Sequence, residues 1–319
     1  MNIVFFGTPE FAVPSLSKLS ETHCIVAVFT QPDKPRGRGH KLTSSPVKEF
    51  AVGKGYDVYQ PEKIRDFDLA NFLKNKNVDV AVVVAYGQKI PKEALDCPKH
   101  SFINVHASLL PAYRGAAPIE RAIIDGLDVT GVSIMYMAEG MDTGDVGITS
   151  ETHIPAFMNG GELTEVLSKI GADVLLEFLN LLENGKAPRH KQDDSFATYA
   201  RKIDQGDLNL NLNDDARTFV NKVRAFTPKT GVKIRVKNVN IKVFDATLNE
   251  NEGAKRMGEA SSGIVVTVSC NGELYLDFGG ELVKLKCVQP ESKGRMSGEE
   301  FVRGYMIETG DIVESLLTT

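Results

Sequence analysis

Cysteine is scarce in this 319-residue chain: Cys24, Cys97, Cys270 and Cys287 lie far apart, and no C-x-x-C pair occurs. A disulfide framework or a zinc site lacks its raw material, so no metal is expected and reduced thiols in a cytosolic protein are. Positive charge is not in excess either. A formal net charge of −5 excludes a globally basic nucleic-acid coat while leaving room for a local basic face. No apolar run approaches the roughly 20 residues of a membrane helix. The opening MNIVFFGTPEF has neither a basic n-region nor a cleavage pattern, and the expectation is a soluble, cytoplasmic protein away from membranes. FFGTPEF also has one glycine where a dinucleotide site shows G-x-G-x-x-G, which argues against NAD. No internal repeat or low-complexity tract is present.

What is present is ordinary for a soluble globular protein, 42% hydrophobic and 25% charged residues, at a length that suggests two domains. Strand-like runs occur at 2–6, 24–30, 56–60, 78–85, 101–105 and 131–137. Between them lie helix candidates such as EFAVPSLSKL, PVKEFAVGKG and the long stretch 162–185. VDVAVVVA is nearly all apolar, as a strand covered on both faces should be. The alternation predicts a doubly wound, mostly parallel, Rossmann-like α/β sheet over residues 1–188. A polar, non-periodic stretch at 189–206 reads as a linker. Residues 207–319 begin with a short helix candidate, DDARTFVNKVRAF, and continue as five β-type runs with Asn271-Gly272 and Gly279-Gly280 as hairpin turns. That pattern predicts a small C-terminal β-barrel of the OB type.

The chemistry concentrates in FINVHASLLPAYRGAAP, residues 102–118. Asn104 and His106 interrupt an apolar strand, and positions two apart point to the same side. An amide that donates at any pH and an imidazole that exchanges a proton near neutrality suit a carbonyl oxygen turning into an oxyanion. AEGMDTGDVG (138–147) supplies Asp142 and Asp145. A carboxylate beside His106 would fix its tautomer and stabilise the imidazolium. Sequence alone leaves open whether either acid is there or sits as a solvated turn residue.

Two basic features stand apart from this site. From Ala216 to Phe244 there are eight Lys/Arg residues and no acid. Within that run V-K-I-R-V-K alternates, so Val232, Ile234 and Val236 face a core while Lys233, Arg235 and Lys237 share the outer face. Lys242 adds to that stripe, which suits a phosphate backbone. The loop QPDKPRGRGHK (31–41) is basic, and its Pro and Gly are expected to keep it irregular.

The motif N-x-H-x-S-L-L-P-x-x-R-G-x-A-P with a downstream M-D-T-G-D resembles the signature of folate-dependent formyltransferases. NIVFFGTPEFAVPSL, TQPDKPRGRGHKL, VVAYGQKIP, VRAFTP and VQPESKGRM extend the likeness, in order, to the family that acts on methionyl-tRNA. The resemblance implies that Asn104, His106 and Asp142 form the catalytic trio and that Ser108, Leu109, Leu110 and Pro111 make the folate-contacting turn. It implies 10-formyltetrahydrofolate as co-substrate, initiator methionyl-tRNA as partner, Arg38 inserted at the acceptor end, and residues 84–91 along a pterin pocket. A monomer is expected. Two departures stand out: Leu210-Asn211-Leu212 where the family often has Ile-Asp-Trp, and Thr230-Gly231-Val232 where Pro-Gly-Ala is common. A sugar amine, a glycinamide nucleotide or water as acceptor, or a vestigial α/β domain on an RNA-binding protein, are the competing readings.

Overall fold

The apolar runs of the first half pair as strands in the computed structural model, which describes residues 1–36, 41–249 and 264–316. The chain divides into two units. The first comprises Met1–Pro118, Val129–His153 and Thr164–Ala200; the second comprises Ile119–Asp128, Ile154–Leu163 and Arg201–Thr319.

In chain order the first unit holds β1 (Asn2–Gly7), β2 (Cys24–Phe29), β3 (Lys34–Arg36), β4 (Lys41–Thr43), β5 (Val58–Tyr59), β6 (Val80–Val84), β7 (Phe102–His106), β8 (Arg114–Gly115), β9 (Val129–Tyr136), β10 (Val146–His153) and β11 (Tyr199–Ala200). Helices α1 (Val13–Thr22), α2 (Pro46–Gly53), α3 (Leu69–Asn75) and α4 (Lys92–Leu95) belong to this unit, as does α6 (Gly160–Glu183) from Thr164 on, whereas α5 (Pro118–Ile124) belongs to the second unit from Ile119 on. The main sheet runs β10-β9-β7-β6-β1-β2-β5. Its five strands from β5 to β7 are parallel, and β9 and β10 are antiparallel additions. Strand order reverses between β1 and β6, the switch point of a doubly wound sheet. All five residues of β6 are buried, which accounts for its unbroken apolar run.

Local chemistry fixes the helix starts. Ser45 caps α2 by accepting from Lys48 N–H at 3.1 Å, with Pro46 at the first helical position. Two features differ from the sequence expectation. The 31–41 loop is regular at its ends, where Lys34, Pro35 and Arg36 pair with Thr43, Leu42 and Lys41. Pro35 is tolerated there because a two-stranded ribbon leaves one side of each strand without a ladder partner. Residues 37–40, including Arg38, lie outside the described residues. The second feature is β10, an edge strand whose residues alternate between half-buried and exposed from Ile148 to His153. Its polar residues, Gly147 and flanking acids concealed it.

The second unit adds α7 (Ala216–Phe226), β12 (Val232–Val236), β13 (Val239–Leu248), β14 (Val265–Val268), β15 (Leu274–Asp277), β16 (Leu282–Pro290), β17 (Met296–Ser297), α8 (Gly298–Tyr305) and β18 (Val313–Glu314). Its antiparallel sheet runs β14-β15-β16-β13-β12-β18. A bridge between Val265 and Ile312, with Val266 N–H donating to Asp311 O at 2.9 Å, brings the two ends of that order together as a barrel. Val232, Ile234, Val236, Leu276, Leu285 and Phe301 are fully buried inside it. Asp215 caps α7 and a Ser297–Glu300 capping box starts α8. The departures noted in the sequence keep what packing needs: Leu210 is fully buried, and a Cβ at Gly231 would sit 2.7 Å from Val243 O.

Candidate active site

The site forms where β7 runs out. Asn104 pairs with Val83 of β6 and Met135 of β9, and His106 pairs with Ser133. His106 is 6% exposed, whereas Asn104 is half-buried. The Asn104 amide makes no hydrogen bond among the described residues. His106 is held at both ring nitrogens. Nε2 lies 3.0 Å from Tyr113 O; a carbonyl only accepts, so Nε2 carries a hydrogen. Nδ1 faces Asp142 Oδ2 at 3.7 Å. A proton there would be balanced by the carboxylate. Of the two acids considered in the sequence, the fold brings Asp142 to the imidazole, while Asp145 pairs with Arg189 at 2.7 Å.

Asp142 sits at φ +52° in a tight turn, and its Oδ2 also accepts Gly115 N–H at 2.8 Å. Gly144 is required two residues on, because a Cβ there would lie 1.7 Å from Tyr136 O. The turn Ser108 to Pro111 leaves β7 beside the same site. Ser108 Oγ donates to Ala112 O at 2.6 Å, and Ser133 Oγ bridges the turn by donating to Ser108 O and accepting from Leu110 N–H. The turn is therefore held rigid by β9.

The end of β6 carries the 84–91 segment. Tyr86 O accepts from Thr8 Oγ1 at 3.0 Å and Gln31 Nε2 at 3.2 Å, tying together the ends of β1, β2 and β6. The Tyr86 ring itself is buried edge-on to Phe6, and burial pushes its hydroxyl up to about 12. Asp33 accepts from Lys48 and Gln60, which hold its carboxyl below the usual range. A hollow of ≈ 280 Å³ walled by Phe67, Leu69, Pro91 and Ala94 has none of the trio on its wall. Convergent chemistry picks out the site.

Sequence reading missed what lies behind Asp142. Arg114, only 2% exposed, sends Nε and Nη2 to Gln192 Oε1 at 3.1 and 2.8 Å, and Nη2 to Asp194 Oδ1 at 2.8 Å. Gln192 Nε2 donates to Asp142 O at 2.8 Å and Gly144 O at 2.6 Å. Gln192 lies in the stretch expected as a linker. Up to Ala200 that stretch is part of the first unit, with β11 parallel to β8 and His190 bridging Val146. A polar run without periodicity carries no signal for such a role; the one available cue was an arginine sealed between small and apolar residues in YRGAAP.

In the second unit, Lys233 and Arg235 occupy the outer, half-buried face of β12. Lys237 is not on that strand: with Asn238 it forms the two-residue turn to β13, at φ +45° and +64°. The fold also supplies acids that the local sequence lacks. Arg235 lies 3.7 Å from Glu314, Lys237 3.6 Å from Asp311, and Lys222 2.6 Å from Asp214. Lys242, exposed and directly opposite Lys233, extends the basic face.

Among the described residues, no cluster of His, Cys, Asp or Glu could hold a metal ion, and no helix is long and apolar enough to cross a membrane. Comparison with known proteins adds independent findings. Residues 1–179 match the family model "Formyl transferase" and residues 202–306 match "Formyl transferase, C-terminal domain". The chain is 42% identical over 311 residues to the methionyl-tRNA formyltransferase of Clostridioides difficile strain 630, covering 97% of this chain and 99% of that one. It is 40% identical over 314 residues to the protein of the same name from Syntrophus aciditrophicus strain SB, covering 98% and 99%. Among solved structures, the fold is shared with WlaRD, a sugar 3N-formyl transferase crystallised with dTDP and 5-N-formyl-THF. That match has a TM-score of 0.66 at 17% identity, covering 92% of this chain and 99% of that one. HypX from Aquifex aeolicus, in complex with tetrahydrofolic acid, gives a TM-score of 0.64 at 17% identity, covering 96% and 48%.

Proposed function

The chain belongs to the methionyl-tRNA formyltransferase family, and from that premise we propose how its own residues transfer a formyl group from 10-formyltetrahydrofolate to the α-amino group of methionine on initiator tRNA. The neutral amine attacks the formyl carbon. A C–N bond forms, the carbonyl pair moves onto oxygen, and an alkoxide results. Asn104 donates its amide N–H to that oxygen. His106, charged by a second proton that Asp142 balances, donates a ring N–H to it. Tyr113 O holds the Nε2 hydrogen in this structure; the alkoxide, a stronger acceptor, takes it as charge develops. Asp142, through water, carries the proton from the attacking nitrogen to the leaving folate nitrogen. The old C–N bond then breaks, the carbonyl re-forms, and the folate nitrogen departs as a neutral amine.

One observation supports this assignment above others: an amide with no hydrogen bond among the described residues and an imidazole flanked by a carboxylate share one side of β7 at its C-terminal end. Ser108 to Pro111 make the folate-contacting turn, on the strength of its place beside the trio. Lys233, Arg235 and Lys237 contact tRNA phosphates, with Arg38 at the acceptor end. The protein is taken to work as a monomer in the reducing cytoplasm, which its four free cysteines suit.

The test incubates the protein with 10-formyltetrahydrofolate and charged initiator tRNA and identifies the amino group of the product. The expected product is N-formylmethionyl-tRNA, with none from uncharged tRNA. Formylation of free methionine at a comparable rate would contradict the role given to the second unit.

A further inference from the structure

The buried Arg114 and Gln192 make no hydrogen bond to Asn104 or His106, yet they bear on the reacting centre through Asp142. Gln192 uses both ends of its amide. Its oxygen accepts two hydrogens from one guanidinium, and its nitrogen donates to two main-chain carbonyls, those of Asp142 and Gly144. The orientation is unambiguous, because arginine only donates and a carbonyl only accepts. No other side chain of that length presents a double acceptor and a double donor on one carbon. Arg114 is anchored in turn by its backbone in β8, where its N–H donates to Thr198 O at 2.9 Å. The next residue, Gly115, donates its N–H to the Asp142 carboxylate. Asp142 is thus gripped from two directions, its main chain by Gln192 and its carboxylate by Gly115, and both grips lead back to β8.

We infer that Gln192, seated on the buried Arg114, is a positioning residue that holds the 142–144 turn so that the Asp142 carboxylate faces His106. This rests on the role given to Asp142 above. The 3.7 Å separation between Oδ2 and Nδ1 leaves little tolerance, since a further displacement of about 1 Å costs on the order of 10²-fold in rate.

Gln192→Glu separates the two functions of the amide. It keeps an acceptor for Arg114 but sets carboxylate oxygen against two carbonyls, releasing the turn. Gln192→Met, close in volume and uncharged, serves if Gln192→Glu does not fold. The assay measures kcat and both KM values for the wild-type protein, Gln192→Glu, Asp142→Asn and the double variant. Expected is a fall in kcat of about 10²-fold with both KM values nearly unchanged. Adding Gln192→Glu to Asp142→Asn should then cost little more, because the two act on one group. Independent, multiplying losses would overturn the inference, as would a raised KM with kcat intact. An unimpaired Gln192→Glu beside an impaired Asp142→Asn would sink the clamp alone. Wild-type turnover in Asp142→Asn would instead remove the reading on which the clamp rests.

Discussion

Asp207→Asn is expected to weaken the second unit more than any surface change. Asp207 is 7% exposed at its side chain and accepts five hydrogens. Arg121 binds both its oxygens at 3.0 and 2.6 Å, Arg201 binds both at 2.9 and 2.6 Å, and Asp204 N–H adds a fifth at 3.0 Å. The two arginines differ in environment, 14% exposed for Arg121 and 59% for Arg201. Arg201 stays well solvated when its partner goes, so its share is at most about 1 kcal/mol. Arg121 is left with a charge out of water, and breaking a buried pair from one side costs about 3–5 kcal/mol. A drop in the unfolding midpoint on the order of 10 °C follows for a unit of this size. Acid should erase the difference. Burial acts to raise the Asp207 carboxyl, but the Arg121 hydrogen bonds, the Asp204 N–H and the two arginine charges outweigh it, leaving it below its ordinary value. A depressed carboxylate contributes its stability above its unfolded pKa of about 3.9 and loses it as pH falls through the folded value. Calorimetry of wild type and variant at pH 7 and pH 3 reads both effects. A variant that melts with the wild type at pH 7, or a gap unchanged at pH 3, would refute the reasoning.

Three further outcomes are expected. Asn104→Ala should lower kcat about 10²–10³-fold, and His106→Ala about 10²–10⁴-fold, with circular dichroism unchanged; near-normal turnover in both would put the oxyanion site elsewhere. Arg38→Ala should raise KM for methionyl-tRNA while folate binding, followed by fluorescence titration, stays as it was; loss of folate binding would refute that division of labour. The affinity for tRNA should fall with salt, and Lys233→Ala or Arg235→Ala should each flatten the log–log slope by about one unit. An unchanged slope would take those residues out of the interface.

How much of this could be read from the chain depends on where each residue's partners lie. VDVAVVVA announced a doubly covered strand because both its faces are apolar, and Asn104-Val105-His106 stood out because polar groups broke such a pattern. Val232 to Val236 alternated because one face is core. The barrel's closure did not show: Val313 and Glu314 make a strand two residues long, too short for any period to be seen. The 189–206 stretch looked like a linker for a related reason. His190, Gln192 and Tyr199 are held by hydrogen bonds to Val146, Asp142, Gly144 and β8, partners 40 to 85 positions away in the chain. Polar pairing over such distances leaves no local signature. The run from 216 to 244 is acid-free in sequence, yet Asp214, Asp311 and Glu314 reach its cations through space.

In the mechanism proposed above, Asn104 and His106 together hold the oxygen of the transferred formyl group. A crystal structure with a non-transferable formyl-folate analogue tests it most directly. The formyl oxygen is expected within about 3 Å of both the Asn104 amide nitrogen and a His106 ring nitrogen. A formyl group bound beyond hydrogen-bonding reach of both side chains would contradict it.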